Sequence, residues 1–128
     1  MSFCTAINCM DGRTQLPVNA FLRKMFGVDY VDTITEPAPV RILAEEPDSP
    51  QTESILSRVK LSINKHGSQH VAVVAHYDCT GNPAGEKEQK EQLDLAVRFV
   101  AAQDPGVHVL GVWVDSTGTV SQVCQAWD

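Results

Sequence analysis

Five consecutive apolar residues, Val71-Ala-Val-Val-Ala75, offer no polar face to water. A half-exposed strand alternates apolar and polar positions, whereas a strand covered on both faces reads as an unbroken apolar run. The run therefore predicts a central parallel strand, and parallel strands are joined by helical crossovers. The neighbouring sequence supplies these partners. Phe3 to Asn8 reads as a second buried strand, Asp29 to Thr35 as a β-branched one, and Val107 to Val114 as a fourth. Between them, Pro17 to Phe26 reads as a helix stopped by Gly27. A second helix starts from the Ser49 cap and Pro50 and runs to about Lys65, with Ile55, Val59 and Ile63 on one face. Glu86 to Gln103 is the clearest helix, its inward stripe made by Leu93, Ala96, Val97 and Val100.

Residues 36–50 hold four of the seven prolines, Pro37, Pro39, Pro47 and Pro50, and are expected to be a loop of mostly extended backbone. After a turn at 115–118, Thr119 to Cys124 is expected to return as an antiparallel edge strand. The fold expected is α/β: a mainly parallel sheet of about four strands plus the antiparallel edge strand, with helices on both faces. One domain spans residues 1–128.

Charge and cysteine usage narrow the function. Ten Lys and Arg against sixteen Asp and Glu give a formal charge of −6, which disfavours a nucleic-acid partner held by phosphate contacts. No apolar run approaches the roughly 20 residues of a membrane span, and the start lacks the basic and apolar regions of a secretory signal. The chain is expected to be cytoplasmic, with no membrane partner. In such a chain four cysteines are metal ligands, catalytic thiols or buried core residues before they are disulfides.

Two motifs follow apolar strands directly: Cys9-Met-Asp-Gly-Arg13 after the first, and His76-Tyr-Asp-Cys79 after the central one. In open α/β sheets, ligands bind outside the carboxyl ends of the strands, where the strand order reverses. Together Cys9, His76 and Cys79 offer two thiolates and an imidazole, a soft set suited to zinc (Zn2+), with a fourth position open to water. Zinc can bring the pKa of that water to about 7. Asp11 can accept a hydrogen bond from the water, and Arg13 can hold Asp11 ionised and oriented.

Each piece alone has an ordinary explanation: a core thiol, a chance His-x-x-Cys, a solvated turn with a weak ion pair. The combination at two strand ends favours zinc. Other chemistries lack their signatures. Only three residues separate Cys9 from Arg13, too few for the anion loop of a cysteine phosphatase. The His-x-Glu and Pro-Cys-x-x-Cys of zinc deaminases are absent, and no nucleotide-binding glycine motif occurs.

These two motifs, with the segment Leu110 to Val120, resemble the β-class carbonic anhydrases. The resemblance implies zinc held by Cys9, His76 and Cys79, and an Asp11–Arg13 dyad beside the attacking water. The implied reaction hydrates carbon dioxide to bicarbonate in a homodimer or higher homo-oligomer whose site lies near the subunit interface. Relatives on this fold hydrolyse carbonyl sulfide or carbon disulfide. The sequence departs from the family at three places. The first strand begins at about Phe3, without the helices that precede it in the family. The Arg-Asn-Ala-Gly-like segment is replaced by Thr35-Glu-Pro-Ala-Pro39, and Thr80-Gly-Asn-Pro83 stands where Gly-Gly is usual. Two readings stand beside the enzyme: a non-catalytic zinc-binding or interaction protein, and a redox-sensitive protein pairing Cys9 with Cys79.

The other polar residues have expected places too. Cys4 is expected in the core and Cys124 to be structural or incidental. His66, His70 and His108 are read as surface or capping residues. Asp78 is a candidate partner of His76 or Arg13, or a cap of the following turn, and Asn82 and Glu86 fit the pocket wall and a polar loop with a helix start equally well. Trp113 is expected in the core, and Trp127 at a sheet edge or an oligomer contact.

Overall fold

A computed structural model describes residues 1–127. The chain runs β1 (Phe3–Cys9), α1 (Gln15–Phe26), β2 (Tyr30–Glu36), α2 (Pro39–Glu45), α3 (Pro50–His66), β3 (His70–His76), α4 (Glu86–Gln103), β4 (His108–Val114) and β5 (Val120–Gln125). The sheet order is β2-β1-β3-β4-β5, parallel except for the β4–β5 pair. This is the expected architecture, with four parallel strands and the antiparallel strand at the edge.

The unbroken apolar run divides between two cores. Val71, Val73 and Ala75 join Ile55 and Val59 of α3, Val40 and Leu43 of α2, and Leu93, Ala96, Val97 and Val100 of α4. Ala72 and Val74 face the other side, with Cys4, Ala6, Leu110 and Val112 under Val18 and Leu22 of α1. A strand with period-2 side chains and a helix layer on each face cannot spare a polar position, and the sequence has none there.

One expectation fails. Residues 36–50 are not an extended loop, because Pro39–Glu45 forms α2. Proline is costly inside a helix but not at its first position, where no intrahelical partner awaits its missing N–H. Pro39 occupies that first turn, and Pro47 lies beyond the last. Helix α1 also begins at Gln15 rather than Pro17, again leaving the proline in the first turn.

Strands β1 and β2 pair from Phe3–Tyr30 to Cys9–Glu36, and β3 and β4 from His70–His108 to His76–Val114. The β1–β3 ladder is much shorter, covering only Thr5–Val71, Ala6–Ala72 and Ile7–Val73. Because β2 and β3 lie on opposite sides of β1, the strand order reverses here. The ladder stops short of Cys9 and His76, which opens a crevice at the switch point.

Gly111 of β4 is required by packing. A Cβ there would lie 2.6 Å from Cys124 Sγ, 3.3 Å from Val97 and 3.4 Å from Leu93. Cys124 thus has a structural place, filling the space over a glycine. Gly111→Ala is expected to cost about 1–3 kcal/mol by overpacking. Adding Cys124→Ala should recover most of it, as chemical denaturation of the single and double variants would show.

The histidines expected at the surface are organised around aromatic rings at the opposite end of the sheet. His66 stacks on Phe3 with centroids 4.0 Å apart, His70 on Phe26 at 3.9 Å, and His108 on Trp127 at 4.8 Å. Burial, with His108 nearby, pushes the His70 pKa below its usual 6.5. The unfolded chain then takes up that proton first, so stability is full above about pH 6.5 and declines as the pH falls toward the folded value. His70→Phe keeps a ring on Phe26 and removes the titration. Its melting temperature should therefore fall less between pH 7 and pH 5 than that of the wild type.

Candidate metal centre

Cys9 ends β1 and His76 ends β3; Cys79 follows a tight turn in which Asp78 takes a left-handed φ of +50°. The donor atoms of Cys9, His76 and Cys79 all lie within 4.8 Å of one another, and all three residues are buried. The two sulfurs are 3.9 Å apart. His76 Nδ1 lies 2.7 Å from the Tyr77 carbonyl oxygen, an acceptor only, so Nδ1 carries the proton. That leaves the Nε2 lone pair facing the cluster, buried and without a hydrogen-bond partner. A buried polar atom without a partner costs roughly 1–3 kcal/mol, so such atoms call for a ligand or an explanation. Here the ligand chemistry is explicit. Two sulfurs and one imidazole nitrogen fit a soft divalent cation, and the histidine tautomer is already the one that binds it.

Electrostatics separate the two thiols. Burial opposes ionisation of Cys9, but His76 close by and the N–H groups of Ala38 and Asp11 outweigh it, bringing the thiol to about 7. Cys79 goes the other way, to about 11, through burial and then the charge on Cys9. Burial opposes a charge on His76 as well, yet the Cys9 thiolate raises it. A divalent ion bound by the three donors would balance the charge of both thiolates.

The backbone around the thiols is arranged for this. Ala38 sits at φ +53°, a region uncommon for alanine, and directs its N–H toward Cys9. The Gly81 and Asn82 N–H groups serve Cys79. Gly81 is close-packed: a Cβ would come within 3.2 Å of Ala38 Cβ.

Asp11 and Arg13 stand beside the cluster. Arg13 Nε donates to Asp11 Oδ1 at 3.0 Å and Nη2 to Oδ2 at 2.7 Å, a fork-like pair. The Arg13 main-chain N–H also donates to Oδ1 at 2.9 Å, so Asp11 caps the short turn Gly12–Thr14. The Arg13 contacts hold the Asp11 carboxyl at about 2, well below the usual carboxylate range. A cleft of about 480 Å3 opens over the site, lined by Cys9, Met10, Asp11, Gly12, Pro37, Thr80 and Gly81. Another cleft of about 380 Å3, between β2 and α3, shares none of these residues.

All five candidate residues thus come together from two strand ends. Asp78 contacts Arg13 through its carbonyl at 3.1 Å and its carboxylate at 3.4 Å, while His76 uses the Tyr77 carbonyl. Neither Asn82 nor Glu86 lines the cleft. Asn82 is buried against Gln92, and Glu86 pairs with Lys90 on the surface. Pro37, Thr80 and Gly81 take that place, and only the departures from the family pattern at 35–39 and 80–83 pointed to them.

Comparison with known proteins agrees. A family profile described as "Putative carbonic anhydrase" matches residues 1–124. Among solved structures, the chain is similar to β-carbonic anhydrase isoform I of Trichomonas vaginalis, with a TM-score of 0.65, 16% identity, and coverage of 97% of this chain and 83% of that one. It is also similar to a tetrameric β-carbonic anhydrase of Sordaria macrospora, at 0.64, 14%, 97% and 82%. The apo form of a carbon disulfide hydrolase scores 0.52, at 14% identity over 92% of this chain and 76% of that one. No curated protein matches the sequence. At these identities the structures speak for the fold alone, which is that of the β-carbonic anhydrases, while the profile covers nearly the whole sequence: this chain belongs to the putative carbonic anhydrase family.

Proposed function

We propose that the protein is a zinc-dependent lyase that hydrates carbon dioxide to bicarbonate, with Cys9, His76 and Cys79 as the metal ligands. The observation that carries this is the set of three buried donors within 4.8 Å, beside a carboxylate held by an arginine fork. Zinc bound there supplies the Lewis acidity that makes water a nucleophile at neutral pH.

The chain's own residues do the rest. Asp11 accepts a hydrogen bond from the attacking water and aims its lone pair into the cleft. With its carboxyl at about 2, Asp11 cannot keep the released proton at neutral pH, so it orients water and the proton passes to solvent. Arg13 fixes the carboxylate and keeps it ionised. Tyr77 O holds the His76 tautomer, and the N–H groups of Ala38, Asp11, Gly81 and Asn82 stabilise the thiolates.

The working form is a homo-oligomer of this one domain in the cytoplasm. Met10, 62% exposed, lines the cleft, and Leu16, 83% exposed, stands in the first turn of α1. A second copy covering this edge would remove both from water. Four free cysteines suit a reducing compartment. No helix among the described residues is long and apolar enough to cross a membrane.

The test is elemental analysis of protein purified without chelator, followed by stopped-flow hydration of carbon dioxide. About one zinc per chain and a rate well above buffer are expected; a chain without stoichiometric zinc sinks the reading. Zinc without hydration leaves the non-catalytic binder. Carbon disulfide, linear like carbon dioxide, is worth assaying in the same sample for sulfide release, given the likeness to a carbon disulfide hydrolase.

A further inference from the structure

Tyr77 touches both halves of the candidate site. Its carbonyl accepts from His76 Nδ1 at 2.7 Å, and its phenol oxygen accepts from Arg13 Nη1 at 3.1 Å. The Arg13 guanidinium carbon also lies 4.9 Å from the Tyr77 ring centroid, within cation–π range. The ring packs against the larger core, so the fold sets its position independently of the arginine.

Arg13 needs such an anchor. Its side chain is 47% exposed and long, with rotamer freedom to lose. Asp11 is the group whose aim has to be set, so its fork with Arg13 does not by itself tie the pair to the other half of the site. The Asp78 carboxylate is 79% exposed and 3.4 Å away, so water screens it. The Asp78 carbonyl contributes a bond at 3.1 Å from the same turn. Among these contacts only Tyr77 presents a side chain packed against the core, from the turn that follows β3, across the site from the dyad.

We propose that Tyr77 is the positioning residue of the Asp11–Arg13 dyad, fixing the arginine so that the carboxylate stays aimed at the cleft. This rests on the carbonic anhydrase-like reading of the site. Tyr77→Phe keeps the ring and carbonyl and deletes only the hydroxyl. Tyr77→Leu keeps the carbonyl and deletes both ring-borne contacts.

The test uses zinc-loaded protein carrying 15N-arginine. The Arg13 Nε–H, one of five arginine signals, is assigned by its disappearance in Arg13→Lys. Its heteronuclear NOE should fall in Tyr77→Phe and further in Tyr77→Leu, with zinc content unchanged. Hydration kcat/KM should drop about threefold to tenfold in Tyr77→Phe, and about tenfold or more in Tyr77→Leu. A role in packing alone would leave the Arg13 NOE of Tyr77→Phe at the wild-type value. That result overturns the proposal, as does loss of zinc in Tyr77→Phe, whose missing hydroxyl touches no ligand. A wild type without hydration activity sinks the functional reading by itself, and the Arg13 NOE still decides the role of Tyr77.

Discussion

Cys9→Ser and Cys79→Ser should each leave little zinc on the purified chain, less than about a tenth of the wild-type content, because a serine hydroxyl is a hard, un-ionised donor. The exchange is nearly isosteric, so packing around Ala38 and the crevice should survive, and circular dichroism should stay close to that of the wild type. Loss of zinc is then a loss of ligand rather than of fold. The metal-free chain also fixes the sign of a pH effect. One thiol lies at about 7 and the other at about 11, and both must be deprotonated to bind. Protons therefore compete with the cation, and zinc affinity should rise as pH increases through neutrality. Competition against a chromophoric chelator at several pH values measures this. A serine variant that keeps one zinc per chain, or an affinity that falls with rising pH, refutes the ligand set.

For Asp11→Asn the expected result is a fall in carbon dioxide hydration of about 100-fold to 1,000-fold with zinc retained. Asparagine still caps the short turn as well as aspartate does. It cannot serve the fork: one of its two positions becomes an N–H2 facing the Arg13 donors, so the pair that orients the group is broken. Acid stability offers a second readout. The folded carboxyl lies at about 2 against a usual 3.8, so its stabilisation is present above about pH 3.8 and is lost as the pH falls toward 2. Asp11→Asn should remove that part of the acid limb, measured by urea unfolding between pH 5 and pH 2.5. A rate within threefold of wild type, with zinc bound, would show that the dyad takes no part in the reaction.

The sheet and the candidate donor set were legible for one reason. A strand buried on both faces leaves an unbroken apolar run, and the polar residues that end such a run stand out. Cys9 and His76 end buried strands, and Asp11, Arg13 and Cys79 follow directly in the segments beyond them. Helix α2 was not legible, because proline marks the first turn of a helix and a break in the chain alike, and only tertiary packing of Val40 and Leu43 decides. The donors to the thiolates were hidden more deeply. They are main-chain N–H groups, and nothing in the identity of Ala38 announces a left-handed conformation. For Asn82 and Glu86 the sequence left pocket wall and helix start equally open, and the structure has Asn82 buried against Gln92 and Glu86 at the surface in the first turn of α4.

The short β1–β3 ladder has a mechanical consequence. Three residue pairs join one half of the sheet, β2 with β1, to the other, β3 with β4 and β5. Of the proposed ligands, Cys9 belongs to the first half, while His76 and Cys79 belong to the second. A cation bound by all three would thus be a rivet at the open end of a seam that the backbone pairs only at Thr5–Val71, Ala6–Ala72 and Ile7–Val73. Filling the site would then brace the sheet where its own pairing is shortest.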